Sequence, residues 1–295
     1  MIPFNPLSIG DTIGICAPSG SFDLLEFEKG VRILRQMGFN VFVSEHIGKT
    51  KRYLAGEDAH RAGLLNELFA LKEIKAIIGA RGGYGAIRIL EQIKWERVRE
   101  NPKPFIGFSD ATALLITFIT RSNIQVIHGP SVITLGRASE KTILSLYHNL
   151  TQAPSTLPAT NGRTIVSGKG RGILMGGNLA TLCHLIGTSF QPVFQDAILF
   201  LEDIAEPPYK IDRMLTQMKM AGLFNPVKGV ILGTFVDCGN MDMIHDIVAE
   251  IFAPFCIPVC SGIESGHDAL NLSFRMGAMV TLDADQQEIV WENIP

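Results

Sequence analysis

The stretch PFIGFSDATALLITFITRSNIQVIH (104–128) decides how the first half of the chain folds. PFIGF (104–108) is β-rich, ATALLITFIT (111–120) is an apolar helical run, and IQVIH (124–128) is β-rich again. Strand, helix and strand in that order imply parallel strands joined by a right-handed crossover. The same alternation extends toward the N-terminus. TIGIC (12–16) reads as a strand, and LLEFEKGVRILRQM (24–37) as a helix closed by Gly38 at its C′ position. NVFVS (40–44) is a second strand, and DAHRAGLLNELFALKE (58–73) an amphipathic helix with Asp58 as its N-cap. KAIIGA (75–80) is a third strand, followed by the loop RGGYG (81–85) and a helix through IRILEQI. The expected fold class is α/β, a doubly wound parallel sheet.

Beyond residue 128 the texture changes. KTILSLYHNL (141–150) is one more helix, and TQAPSTLPATNGR (151–163) reads as a linker. The strand-like segments that follow are more varied: TIVSG, GILMG, AILFLED, GVILGTF, MVTLDAD and EIVWEN. Helical patterns interrupt them at NLATLCHLIG, YKIDRMLTQMKMAG and MIHDIVAEIFAPF. The last two strands flank DADQQ, which suits a hairpin. Three segments are therefore expected: residues 1–150 as an α/β domain, 151–163 as a linker, and 164–295 as a smaller mixed α+β domain.

Composition narrows the function. The 295 residues are 46% hydrophobic and 19% charged, with a net charge of −3 and no long basic run, so no nucleic-acid partner is expected. MIPFNPLSIGDTIGICAPSG (1–20) lacks a basic region followed by an apolar one and does not read as a signal peptide. No apolar run reaches the roughly 20 residues of a membrane span. A cytoplasmic location without membrane attachment is the expectation. Five scattered cysteines (Cys16, Cys183, Cys238, Cys256 and Cys260) argue against a disulfide framework, and no Cys or His cluster has metal-site spacing.

The chemistry concentrates where PFIGF meets Ser109. A β-rich run, a Ser and an immediate apolar helix form the layout of a nucleophile elbow. Such a turn needs small residues two before and two after the Ser, and they are Gly107 and Ala111. The helix N-terminus favours developing negative charge, and the Asp110 N–H is a candidate oxyanion donor. The competing reading makes Ser109 an N-cap. The glycines of ARGGYGAI (80–87) let backbone N–H groups approach a ligand, although neither a Walker pattern nor a full dinucleotide fingerprint is present. In a doubly wound sheet both loops lie at the carboxyl ends of their strands, where ligands bind.

A Ser nucleophile needs an imidazole base and usually a carboxylate to orient it. His60, His148, His184 and His245 fall in helical patterns, and His46 in a polar loop. His128 at a strand end and His267 in SGIESGHDALN both remain candidates. Glu202 ends the apolar strand AILFLED, where an acid is costly without a partner. Asp203 and Glu206 are neighbouring alternatives, better suited to capping the helix that starts near Pro208.

Taken together, GFSDATALL, ARGGYG, GGNLATL, LFLEDIAEPPYKIDRMLTQM, GVILGTF and GHDALN resemble, in order and over nearly the whole chain, the LD-carboxypeptidase family. That family includes muramoyl-tetrapeptide carboxypeptidases and related enzymes conferring microcin C immunity. The resemblance implies a flavodoxin-like N-terminal domain bearing Ser109, and a Ser109–Glu202–His267 triad. It implies an oxyanion hole from the backbone of Gly82, Gly83 and Asp110, no metal or other cofactor, and a homodimer. It also implies the substrate, a small murein tetrapeptide from which terminal D-Ala is released during cell-wall recycling.

One departure stands out: family members often carry N-x-x-L-P-x-G after the His, and here Phe274 and Arg275 replace Leu and Pro. A carboxypeptidase also binds its substrate's terminal carboxylate. Arg81 is the first candidate, with Lys210 and Arg275 as alternatives, and Asn178 reads as a helix N-cap. The competing functions are an amidase of the microcin-immunity type and a peptide-binding protein without turnover. A glutamine-amidotransferase role would want Cys at the elbow.

Overall fold

The computed structural model describes residues 1–153, 155–160 and 162–292. The chain divides into two compact units, Met1–Ala153 with Ser273–Arg275, and Pro154–Leu272 with Met276–Pro295.

The first unit runs β1 (Thr12–Cys16), α1 (Leu24–Gln36), β2 (Asn40–Val43), α2 (Asp58–Ala70), β3 (Ile74–Gly79), α3 (Ala86–Ile89) and α4 (Trp95–Glu100). It continues through β4 (Phe105–Gly107), α5 (Thr112–Ser122), β5 (Val126–His128), α6 (Val132–Leu135) and α7 (Glu140–Thr151). In the second unit come β6 (Thr156–Pro158), β7 (Thr164–Val166), β8 (Lys169–Asn178), α8 (Leu179–His184), β9 (Ala197–Ile204) and α9 (Pro208–Met220). After them lie β10 (Gly229–Val236), α10 (Met241–Phe252), β11 (Val259–Ser261), β13 (Met279–Asp283) and β14 (Glu288–Trp291), while β12 (Phe274–Met276), between β11 and β13 in the chain, joins the sheet of the first unit.

The first sheet has the order β12-β5-β4-β3-β1-β2, and β1 to β5 are mutually parallel. This is the doubly wound α/β architecture, with its strand order reversing between β1 and β3. Alternation along the strands covers both faces. Ile13, Ile15, Ala76, Ile78, Ile106 and Ile127 pack into one core with Phe27, Val31 and Leu34 of α1 and Leu146 and Leu150 of α7. Gly14 points the other way, where an added Cβ would lie 2.6 Å from Leu68 of α2. On that side Phe118 of α5 meets Phe69 and Phe105, each with ring centroids 5.3 Å apart. Helix α5 is apolar almost all round because nearly every residue in it is buried.

The second sheet is mixed, in the order β6-β14-β13-β8-β9-β10-β11-β7. Strands β8 to β11 run parallel, with α9 and α10 in the crossovers, while β13 and β14 form the antiparallel hairpin around residues 284–287. Among the described residues, no helix is long and apolar enough to cross a membrane.

Three expectations change. The N-cap of α2 is Glu57 rather than Asp58, which is drawn into ion pairs with Arg61 and Arg88. The 151–163 segment is not wholly a linker: Thr156–Pro158 adds an edge strand to β14, where Pro is tolerated. Pro154 and Asn161 of that segment, and Asn293 of EIVWEN, lie outside the described residues. Residues 273–275, expected in the C-terminal domain, belong to the first unit. Hydrogen bonds hold them to α7: Ser273 N–H donates to Ser145 Oγ at 2.9 Å, and Asn149 Nδ2 donates to the Ser273 carbonyl at 2.7 Å.

Candidate active site

In the first unit the candidate residues gather at the carboxyl ends of β1, β3 and β4. Ser109 follows β4 directly and takes a left-handed conformation, φ +60°. The extended Phe108 precedes it, and a 3-10 turn over Ser109–Ala111 leads into α5. A non-glycine residue at positive φ is strained, and the turn projects Ser109 clear of both strand and helix. The small-residue rule of the elbow is met: a Cβ at Gly107 would come within 2.8 Å of the Ala111 Cβ. Ser109 is not a side-chain N-cap here, because no side-chain cap hydrogen bond forms at the start of α5.

The glycine loop after β3 lies against that serine. A Cβ added to Gly82 would sit 3.0 Å from Ser109 Cβ, 3.1 Å from its Oγ and 3.8 Å from the Asp110 nitrogen. Without a side chain at Gly82 the backbone approaches this closely and leaves Ser109 undisturbed. Gly83 has φ +103° and packs toward Gly20, whose N–H donates to the Gly82 carbonyl at 3.1 Å. The exposed Arg81 donates from its guanidinium to the Ser21 carbonyl.

The Asp110 side chain turns inward. Its Oδ2 accepts from the Ser19 hydroxyl at 2.5 Å and from the Ala86 N–H at 2.8 Å. Burial pushes this carboxyl up from its ordinary range, and the two donors oppose that shift. Fully buried Arg61 donates to the carbonyls of Pro18 and Gly85 and pairs with Asp58 at 2.5 Å. Sequence reasoning missed Ser19 and Arg61. The signals available were a Ser just past the carboxyl end of β1 and an Arg among Ala62, Leu64 and Leu65 on the buried side of a helix.

In the second unit Glu202, near the end of β9, is fully buried. Its Oε2 lies 2.7 Å from Nδ1 of His267, whose side chain is 15% exposed. Gly266, at φ +134°, makes that approach feasible, since a Cβ there would lie 2.7 Å from Glu202 Oε2 and 2.5 Å from Thr234 Oγ1. A carboxylate on Nδ1 orients the ring and leaves Nε2 as the basic nitrogen. The structure thus brings Glu202 together with His267 in one unit, and Ser109 together with Gly82 and Asp110 in the other.

The alternatives fare differently. His128 is fully buried with its ring stacked on Phe274, centroids 5.1 Å apart, so it serves the core of the first unit. Asp203 does not cap the helix at Pro208; it accepts from Asn178 Nδ2 at 2.8 Å and from the Ala180 N–H at 2.9 Å, at the start of α8. Burial raises its pKa to about 6. The α9 helix has Pro207 at its N-cap position and no side-chain cap, and Glu206 pairs with Lys210 at 3.1 Å. Asn178 is the N-cap of α8. Arg275 is withdrawn as a substrate ligand, because its guanidinium donates to the Asn149 and Gln152 carbonyls and lies over the Phe4 ring. All five cysteines are free, with Cys256 exposed and the others buried. Among the described residues, no group of three or more His, Cys, Asp or Glu could hold a metal ion.

Comparison with known proteins gives two family matches, the LD-carboxypeptidase N-terminal domain over residues 13–129 and the LD-carboxypeptidase C-terminal domain over residues 171–282. A Bacillus subtilis protein named as a probable murein peptide carboxypeptidase is 31% identical, covering 97% of this chain and 93% of its own. The murein tetrapeptide carboxypeptidase of Pseudomonas aeruginosa is 30% identical, covering 94% and 95%. Among solved structures, an MccF-like protein from Bacillus anthracis superposes with a TM-score of 0.91 at 26% identity, covering 100% of both chains.

Proposed function

The chain belongs to the LD-carboxypeptidase family, and from that premise we propose that it is a serine carboxypeptidase releasing the terminal D-Ala of a murein tetrapeptide in cytoplasmic cell-wall recycling. The observation that carries the reading is the buried Glu202 held 2.7 Å from Nδ1 of His267, an acid–imidazole pair of the kind a serine nucleophile requires. Ser109, strained on its elbow, is the nucleophile. His267 takes the Ser109 proton as Oγ attacks the peptide carbonyl, then gives it to the leaving amine of the D-amino acid. Water attacks the resulting acyl-enzyme by the same route, restoring Ser109 and freeing the shortened peptide. The N–H groups of Gly82, Gly83 and Asp110 stabilise the tetrahedral oxyanion. Arg81 takes the terminal carboxylate. The working enzyme is a homodimer.

The test is D-Ala release from purified murein tetrapeptide by the wild type and by Ser109→Ala. Release by the wild type alone, with a loss of several powers of ten in the variant, supports both nucleophile and substrate. No release by the wild type sinks the murein assignment. A second reading, an amidase acting on peptide–nucleotide or acyl-amide compounds, is favoured by the likeness to the MccF-like protein. Release of the free sulfamoyl nucleoside from acyl-sulfamoyl nucleosides, measured with the same two proteins, separates the two.

A further inference from the structure

We propose that the side chains of Asp110 and Arg61 are positioning residues that fix the Gly85–Ala86 peptide plane, and through it the glycine loop 81–86, against Ser109. The inference rests on the reading of Ser109 as nucleophile. One peptide group is gripped from both sides: Asp110 Oδ2 accepts its Ala86 N–H at 2.8 Å, and Arg61 Nη1 donates to its Gly85 carbonyl at 2.8 Å. The same two side chains also hold the loop after β1. There Asp110 accepts from the Ser19 hydroxyl at 2.5 Å, and Arg61 donates to the Pro18 carbonyl. Three loops that reach the site from β1, β3 and β4 are therefore tied through one buried acceptor and one buried donor. Asp110 follows Ser109 in the chain, so its side chain references the glycine loop directly to the elbow.

Gly85 shows how tightly the grip is set. Its φ is +137°, and an added Cβ would lie 2.8 Å from Arg61 Nη1 and 2.7 Å from Leu54 Cδ2. The loop it closes carries Gly82, whose backbone lies against the Ser109 hydroxyl. Oxyanion donors must sit about 2.7–3.1 Å from the developing oxyanion, and a misplacement of about 1 Å costs about 10²-fold in rate. Nothing in the bond-making chemistry needs the Asp110 carboxyl itself. Its oxygen is used as a two-way acceptor, a role the amide oxygen of Asn can also fill.

The experiment measures kcat and KM for D-Ala release, together with hydrogen exchange of residues 81–86, in full-length wild type, Asp110→Ala, Asp110→Asn and Ser19→Ala. Asp110→Ala is expected to lower kcat about 10²-fold and Ser19→Ala about 3- to 10-fold, with KM within threefold, and both to speed exchange of the loop. Asp110→Asn recovers most of the loss, which simple destabilisation would not do. Should Asp110→Ala fail to fold, Ser19→Ala and Asp110→Asn carry the test. The proposal is overturned if Ser19→Ala keeps wild-type kcat and loop exchange, if the losses fall in KM alone, or if Asn does no better than Ala. A wild type that releases no D-Ala overturns the murein reading instead. Loop exchange then decides the positioning role by itself, and unchanged exchange in Ser19→Ala and Asp110→Asn rejects it.

Discussion

Glu202 Oε2 stands 2.7 Å from Nδ1 of His267, with the carboxylate fully buried and the imidazole partly open to solvent. That single contact sets the tautomer of the ring. In Glu202→Gln the amide can present either its oxygen or its NH2 to Nδ1, and the second choice moves the ring proton to Nε2, where a base is needed. The expected outcome is a fall in kcat of about 10³- to 10⁴-fold with KM within about twofold, because the interaction matters chiefly in the transition state. Steady-state kinetics on the tetrapeptide check this, and a variant retaining a tenth of wild-type kcat would remove Glu202 from the proposed triad.

Gly82→Ala tests the other half of the chemistry. The new methyl would stand 3.1 Å from the Ser109 hydroxyl and 3.0 Å from its Cβ, so the serine side chain must give by a few tenths of an ångström. Gly82 is not among the residues with positive φ, so the backbone itself tolerates Ala. The fold is therefore expected to survive with a melting temperature within a few degrees, while kcat falls by at least about 10²-fold, the scale of a lost oxyanion donor. Normal turnover in this variant would show that the loop does not serve the reaction.

What could be read in the sequence follows from range. The parallel α/β alternation over residues 12–128 was legible because both faces of that sheet are covered, so each strand is a short apolar run bounded by helices with their own period. The elbow was legible because Phe108, Ser109 and Asp110 are neighbours in the chain. Helices α4 and α6, six and four residues long, fall below the window in which helical period can be seen. The edge strand Thr156–Pro158 exists because β14, some 130 residues later, supplies its hydrogen bonds. The Asp110 side chain is explained by Ser19, 91 positions earlier, and composition carries no trace of that pairing. The choice between His128 and His267 was likewise nonlocal: ring stacking on Phe274 claims the first, and Glu202 the second.

Arg275→Ala should separate stability from catalysis. The guanidinium donates to the Asn149 carbonyl at 3.0 and 2.8 Å and to that of Gln152, so it satisfies carbonyls at the end of α7 that the helix leaves unpaired. Removing it strands those acceptors and uncovers the Phe4 ring, at a cost of about 2–4 kcal/mol. Thermal and urea melts should show that loss in the transition of the first unit, with KM for the tetrapeptide unchanged. A raised KM at wild-type stability would return Arg275 to the list of substrate ligands.

Asp203 gives a pH-dependent prediction whose sign is fixed by its burial. Its carboxyl is raised from 3.8 to about 6 in the folded protein, chiefly by loss of solvent. Between those two values the folded state binds the proton more tightly than the unfolded chain. Stability from this group is fully present below pH 3.8 and is lost as pH rises through 6. Asp203→Asn removes the titration while keeping the shape. The advantage of wild type over the variant should therefore shrink on going from pH 4 to pH 7, by at most about 3 kcal/mol and less where solvent reaches the group. Part of the wild-type advantage does not titrate: the carboxylate accepts from Asn178 Nδ2 and from the Ala180 and Ile204 N–H groups, and Asn turns one of those acceptors into a donor. Only the slope of the difference with pH reports the raised pKa. Paired urea titrations at pH 4.5 and 7 measure it; a difference that is flat or grows with pH would mean that Asp203 is ionised across the whole range, held by its three donors against the cost of burial.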